Sequence, residues 1–159
     1  MYTSPKPYPY LPSGREIKYV PETNVFMARA KEVRKLLSTD FKFPTGAVVV
    51  KNGVILGEAA NQAGFKHPVL IRLHERVLCI RRALKVRSGK HYWLCPGCAP
   101  AKNHAETLAV RNAQKHGDAI GADLYLYGHW WCCEPCWNAM LGAGITNVYL
   151  VENATEKWG

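Results

Sequence analysis

The sequence predicts an α/β domain, a mixed sheet with parallel pairs at one end and helices packed on it. Two observations carry that expectation. Asn52-Gly53 separates two β-rich runs, which is a strong tight-hairpin signal. From Asn103 to Val151, helical patterns alternate with single short apolar strands, as they do when strands of one sheet are joined through helices. At 159 residues the chain has room for one core, and 48% hydrophobic with 21% charged residues excludes disordered and collagen-like proteins.

The elements follow in order. Pro5, Pro7, Pro9, Pro12 and Pro21, with tyrosines between them, predict an extended arm over residues 1–22, lying on the surface of a domain formed by 23–159. From Asn24, the three-to-four spacing of Phe26, Met27, Ala30, Val33, Leu36 and Leu37 predicts an amphipathic helix. The hairpin strands are expected at 46–51 and 54–59. A basic helix is expected over Val69–Lys85, with Leu70, Leu73, Val77, Ile80 and Leu84 inward and Arg72, Arg76, Arg81 and Arg82 outward. Another runs from Asn103, a candidate cap with Glu106 three residues on, to His116 before Gly117. A strand over 122–127, a helix over 135–143 closed by Gly144 and a strand over 147–151 complete the pattern.

Charge and leader signals bound the function. Twenty-one Lys and Arg against twelve Asp and Glu give +9, which favours anionic partners such as nucleotides or nucleic acid. The longest uncharged stretch, Pro135 to Val151, is broken by turn residues, so no membrane span is expected. The first residues lack a basic segment followed by an apolar run, and a cytoplasmic location is expected.

The chemistry concentrates at two helix starts. His104-Ala105-Glu106 opens one helix and Cys133-Glu134-Pro135-Cys136 opens another, so one imidazole and two thiolates form a three-ligand set for tetrahedral Zn²⁺ with the fourth position left for water. Glu106 is placed to take a proton from that water. Pro135 suits a first helical turn, and the helix start favours the thiolates. Either half alone has a bland reading, a redox pair for CxxC and chance for HxE. Glu134, between two ligands, reads as a cap or dipole partner.

These motifs resemble the cytidine and deoxycytidylate deaminase superfamily, whose signature is H-x-E followed downstream by P-C-x-x-C. The resemblance extends to Pro44-Thr45-Gly46-Ala47-Val48-Val49-Val50, Asn52-Gly53, Gly57 and Asn61, and to Ala143-Gly144-Ile145 with Asn147-Val148-Tyr149, so it covers about Asn24 to Val151. It implies a three-layer α/β/α cytidine-deaminase-like fold. It also implies zinc on His104, Cys133 and Cys136, Glu106 as proton shuttle, and Asn61 and Ala105 as substrate-binding residues. The implied reaction is hydrolytic deamination at C4 of a cytosine, with Glu106 carrying protons to N3 and to the departing ammonia.

Two departures stand out. Cys132 occupies the family's Pro position and leaves open an alternative ligand pair with Cys136, although Cys133 preserves the two-residue gap. Only eight residues follow Val151, so the sheet is expected to be short at its C-terminal edge.

The long segment between Asn61 and His104 resembles that of deoxycytidylate deaminases, as does His129, and points to dCMP as substrate; the resemblance also implies a homo-oligomer, since relatives are commonly oligomers with composite sites. Trp130 and Trp131 offer aromatic faces for a base, or serve as plain core. Arg76, Arg81, Arg82, Lys85, Arg87 and Lys90 are candidates for a 5′-phosphate or an allosteric nucleotide. Cys95-Pro96-Gly97-Cys98 resembles a zinc knuckle and is a candidate second, structural zinc site with Cys79, His67, His74 or His91. The alternatives to a free-nucleotide enzyme are a deaminase acting on a base in single-stranded DNA or RNA, and a zinc-stabilised nucleic-acid-binding module.

Overall fold

A computed structural model describes residues 6–87 and 89–159. Its elements are β1 (Ile17–Val20), α1 (Val25–Leu37), β2 (Gly46–Lys51), β3 (Val54–Ala60), α2 (Pro68–Arg72), a π-helical turn (Leu73–Val77), α3 (Ile80–Ala83), α4 (Ala105–His116), β4 (Asp123–Tyr127), α5 (Glu134–Gly142), β5 (Asn147–Val151) and α6 (Ala154–Trp158). The five strands form one sheet in the order β1-β5-β4-β2-β3. The β1-β5 and β5-β4 pairs are parallel and the β4-β2 and β2-β3 pairs antiparallel, as the hairpin and the alternating second half require.

Local chemistry sets these elements. The Asn24 side chain accepts hydrogen bonds from the backbone N–H groups of Phe26 and Met27 at 3.0 and 3.1 Å and starts α1, which buries Met27, Ala30 and Val33. Asn52 and Gly53 both take left-handed backbone angles, φ 51° and 76°, which is what lets β2 turn into β3 in two residues.

Two glycines set the layers. A Cβ on Gly46 would lie 2.2 Å from the Ala30 carbonyl oxygen in α1, and one on Gly57 would lie 2.3 Å from the Ala113 nitrogen in α4. Gly46 and Gly57 fall on opposite faces of the β2-β3 ladder, since Gly57 pairs with Val49 and Gly46 is three residues before it. Helix α1 therefore covers one face and α4 the other, giving the expected three layers. Leu124, Leu126, Val148 and Leu150 are fully buried between them, so β4 and β5 form the centre of the core.

Four expectations change. Of the expected surface arm, residues 17–20 enter the sheet as β1, because Ile17 is buried and the segment pairs with Val148–Val151 in register. Pro5 lies outside the described residues. The sheet edge expected to be short is therefore extended by the N-terminal segment, and the last residues form α6 rather than another strand. The expected helix over Val69–Lys85 is broken into α2, the π-helical turn and α3, with Leu73, Val77 and Leu84 exposed and His74, Cys79 and Arg81 turned inward. A polar cluster, described below, overrides the apolar stripe there. Asn103 belongs to a short 3-10 turn, and His104 takes the cap position of α4 without a side-chain cap bond, because its ring is engaged with two cysteines.

No helix among the described residues is long and apolar enough to cross a membrane.

Candidate active site and metal centre

The cap position of α4 and the first turn of α5 meet beyond the carboxyl end of β4. His104 ends the 3-10 turn with an extended backbone, Cys133 takes the cap position of α5, and Cys136 lies in its first turn. The His104 Nδ1 lies 3.3 Å from the Cys136 Sγ and 3.4 Å from the Cys133 Sγ, and the two sulfurs are 3.4 Å apart. On the other side of the ring, Nε2–H donates to the Ala99 carbonyl oxygen at 3.1 Å, which leaves the Nδ1 lone pair for a metal. The Thr107 hydroxyl lies 3.5 Å from the Cys136 Sγ and is placed to hold that sulfur.

This donor set fits zinc. Zinc needs thiolates, and hydrogen bonding with Cys136, assisted by His104, draws the Cys133 thiol down to about 4 despite its burial. Three ligands leave one coordination position open, as in catalytic rather than structural sites. The structure brings Cys133, not Cys132, to His104 and Cys136. Cys132 is fully buried on the Glu106 side, and burial with the nearby carboxylate pushes its thiol well up.

Glu106 lies in the first turn of α4, 5% exposed, and burial raises its carboxyl above the ordinary range, with the Cys133 thiolate adding to the shift against the pull of His104. A buried carboxyl whose affinity for a proton is raised in this way is suited to take up a proton and return it.

The other expected site residues line one cleft of about 1220 Å³ that reaches His104 and Glu106. Asn61, Ala105, His129, Trp130 and Trp131 are all on its wall. Asn61 is largely engaged with its own chain. Its Oδ1 accepts from the Thr45 N–H at 2.9 Å and the Ser38 hydroxyl at 2.6 Å, and its Nδ2 donates to the Phe43 carbonyl at 2.9 Å, so it shapes the 38–45 loop and has one amide hydrogen left over. The His129 Nδ1 accepts the Trp131 N–H at 3.3 Å, and burial next to His104 lowers the ring to about 4, so it remains neutral and carries its proton on Nε2. Trp130 and Trp131 are buried, and Tyr8 stacks on Trp130 with ring centroids 6.2 Å apart while the Lys6 ammonium sits 5.0 Å from the same ring.

Sequence reasoning missed part of this wall. The arm supplies Pro9 and Tyr10, and α6 supplies Lys157 and Trp158. Nothing in their local pattern marks them, because they reach the cleft only through β1 pairing and the return of the chain after β5.

Among the basic candidates, Arg81, Arg82, Arg87 and Lys90 line the cleft together with Lys42, whereas Arg76 and Lys85 do not. His91 is exposed, with its ring 6.2 Å from that of Trp93, and is not among the donors gathered around Cys95 and Cys98. His67 is exposed too and caps α2. His74, Cys79, Cys95 and Cys98 form that cluster instead.

Residues 21–152 match the family model described as the cytidine and deoxycytidylate deaminase zinc-binding region. The chain belongs to that family. It is accordingly a zinc-dependent deaminase of a nucleobase or nucleotide. None of the curated proteins compared with this deaminase matches it. Among solved structures, a diaminohydroxyphosphoribosylaminopyrimidine deaminase/reductase from Thermotoga maritima is 25% identical with a TM-score of 0.47 over 79% of the deaminase, which spans only 28% of that chain. The dCMP deaminase of cyanophage S-TIM5 is 22% identical, TM-score 0.47, with 79% and 78% of the two chains covered. A guanine deaminase from Bacillus subtilis is 22% identical, TM-score 0.43, with 79% and 61% covered.

Proposed function

We propose that the deaminase converts dCMP to dUMP. The observation that carries this reading is the placement of four cations, Lys42, Arg82, Arg87 and Lys90, on the wall of the cleft that ends at Glu106. None of the four has a salt bridge to a described residue, so their charge is available to a phosphate. A base at Glu106 with its 5′-phosphate among these cations fits a cleft of this size.

Zinc held by His104, Cys133 and Cys136 would activate water as a nucleophile at neutral pH. The residues of the chain divide the remaining tasks. Glu106 takes a proton from the attacking water and passes it to N3 of the cytosine, then delivers a second proton as C4–N cleavage releases ammonia, leaving a C4 carbonyl. Ala105, the first residue of α4, offers a backbone N–H that no intrahelical carbonyl takes, suited to the pyrimidine O2. The remaining Asn61 amide hydrogen and the His129 Nε2–H suit the sugar. Tyr8 already occupies part of Trp130, so Trp131 is the better stacking surface.

The test is ammonia release by zinc-loaded protein offered dCMP, CMP, deoxycytidine, cytidine, guanine and a single-stranded oligonucleotide. The highest kcat/KM should be for dCMP, with deoxycytidine lower by at least about tenfold for loss of the phosphate contacts. Equal use of nucleoside and nucleotide, or activity on guanine or the oligonucleotide alone, contradicts the reading.

A homo-oligomer belongs to the same proposal. Leu36, Leu37 and Phe41 stand exposed at the end of α1 and the loop after it, an apolar surface of the kind subunits bury. Sedimentation equilibrium should give a mass above that of one chain, and a monomer at micromolar concentration would contradict it.

A further inference from the structure

We propose that His74, Cys79, Cys95 and Cys98 hold a second zinc ion in a closed tetrahedral site, and that this ion fixes the cationic wall of the cleft through Arg81 and Asp40. The inference is independent of which base is deaminated.

The donor geometry is that of a tetrahedron. With Zn–S near 2.3 Å, two sulfurs of a tetrahedral site stand about 3.8 Å apart. Here the Cys79 and Cys98 sulfurs are 3.6 Å apart, the His74 Nδ1 lies 3.2 Å from the Cys95 Sγ and 4.0 Å from the Cys98 Sγ, and all four donor atoms fall within 4.8 Å of one another. Four protein ligands leave no open position, so the site is structural. A buried Asp40 carboxylate accepts from the His74 Nε2–H at 2.9 Å, which turns the Nδ1 lone pair toward the sulfurs. One Zn²⁺ with three thiolates carries one net negative charge, and the Arg81 guanidinium lies 3.8 Å from the Cys98 Sγ to balance it. The knuckle between the cysteines is shaped for this partner. A Cβ on Gly97 would lie 2.1 Å from the Cβ of His74.

The surrounding segment needs such a staple. Between α2 and the 3-10 turn before α4, the buried apolar cluster among the described residues consists of the three cysteines, with Ile80 and Tyr92 packed beside them, while Leu73, Val77, Leu78, Leu84 and Trp93 are exposed. So small a core cannot hold about thirty residues in one arrangement without a cross-link. Three thiols and an imidazole closed away from water without a metal would add little apolar burial and leave weak hydrogen bonds.

The same groups reach the cleft. Arg81 donates from Nε to the Lys90 carbonyl at 2.9 Å and from Nη2 to the Arg87 carbonyl at 3.0 Å, and it lies 4.0 Å over the Tyr92 ring, which meets the His104 ring edge-on at 5.0 Å. Asp40 accepts the backbone N–H groups of Lys42 and Phe43 at 3.3 and 3.1 Å. Three of the four phosphate-facing cations, Lys42, Arg87 and Lys90, are thus held by backbone bonded to side chains that touch the cluster.

The test uses the full chain. Native mass spectrometry of the wild type should show two zinc ions per chain, and the Cys133→Ser/Cys136→Ser double variant should retain one. Cys95→Ser should lose one zinc and keep the other, and amides of residues 79–94 should exchange with deuterium faster by on the order of tenfold or more, with β4 and β5 unchanged. Arg81→Gln, which leaves all four ligands in place, should keep both zinc ions and accelerate exchange only around residues 87–92, so the wall claim is tested even if Cys95→Ser does not fold. A single zinc in the wild type, a zinc-free double variant or a Cys79–Cys98 disulfide would overturn the site. Unchanged exchange in both variants would overturn its role in the wall.

Discussion

Glu106→Gln is expected to lower kcat by roughly two to four orders of magnitude, the range a positioned proton-transfer group contributes, while KM and zinc content stay close to the wild type. The amide keeps the size of the side chain in a site that is 5% exposed, so the packing of α4 against the sheet does not change. What is lost is a group that can accept a proton and give it back. Burial already raises the Glu106 carboxyl, so removing it also relieves an unfavourable buried charge, and the variant should be at least as stable as the wild type in urea. Kinetics on dCMP, metal analysis and urea unfolding of the same preparation check all three expectations. A variant within threefold of wild-type kcat would mean that Glu106 is not the shuttle.

The second large effect is the loss of the metal. His104→Ala removes one of three ligands and the ring that links Cys133 and Cys136 to the Ala99 carbonyl, and the remaining two thiolates cannot hold zinc in an open catalytic geometry. Activity should fall to the uncatalysed rate, a loss of at least about 10⁶-fold, because neither the nucleophile nor its orientation survives. The fold should persist. The sheet and the α1 and α4 faces are packed by Met27, Val48, Val49, Leu124, Leu126 and Leu150, all fully buried and none dependent on the metal. Circular dichroism together with zinc analysis separates this outcome from unfolding. Wild-type zinc content and turnover in His104→Ala would contradict the assigned ligand set.

The candidate metal cluster at the two helix starts was legible in the sequence because the constraint is local. His104 and Glu106 fall at the cap and first turn of α4, Cys133 and Cys136 at the cap and first turn of α5, and gaps of one and two residues at helix starts survive any uncertainty in the rest of the fold. The hairpin was legible for the same reason, since Asn52-Gly53 allows few alternatives.

What sequence could not supply lies in long-range pairing and in conflicts between patterns. Nothing in Ile17-Lys18-Tyr19-Val20, embedded in a proline-rich stretch, marks it as the strand that extends the sheet beyond β5, because an edge strand draws its stability from its partner. The Val69–Lys85 stripe was a sound helical signal, and it lost to the inward demand of His74, Cys79 and Arg81, which forces a π-helical turn and a break at Leu78. Asp40, thirty-four residues before His74, could be matched to it only once both were folded together.

The most direct test of the account is product analysis with dCMP as the sole substrate. Zinc-loaded wild-type protein should yield dUMP and ammonia in equal amounts, and removal of the metal by a chelator should stop the reaction until zinc is restored. Intact dCMP after prolonged incubation with protein whose His104, Cys133 and Cys136 site is shown to be metal-loaded would contradict it.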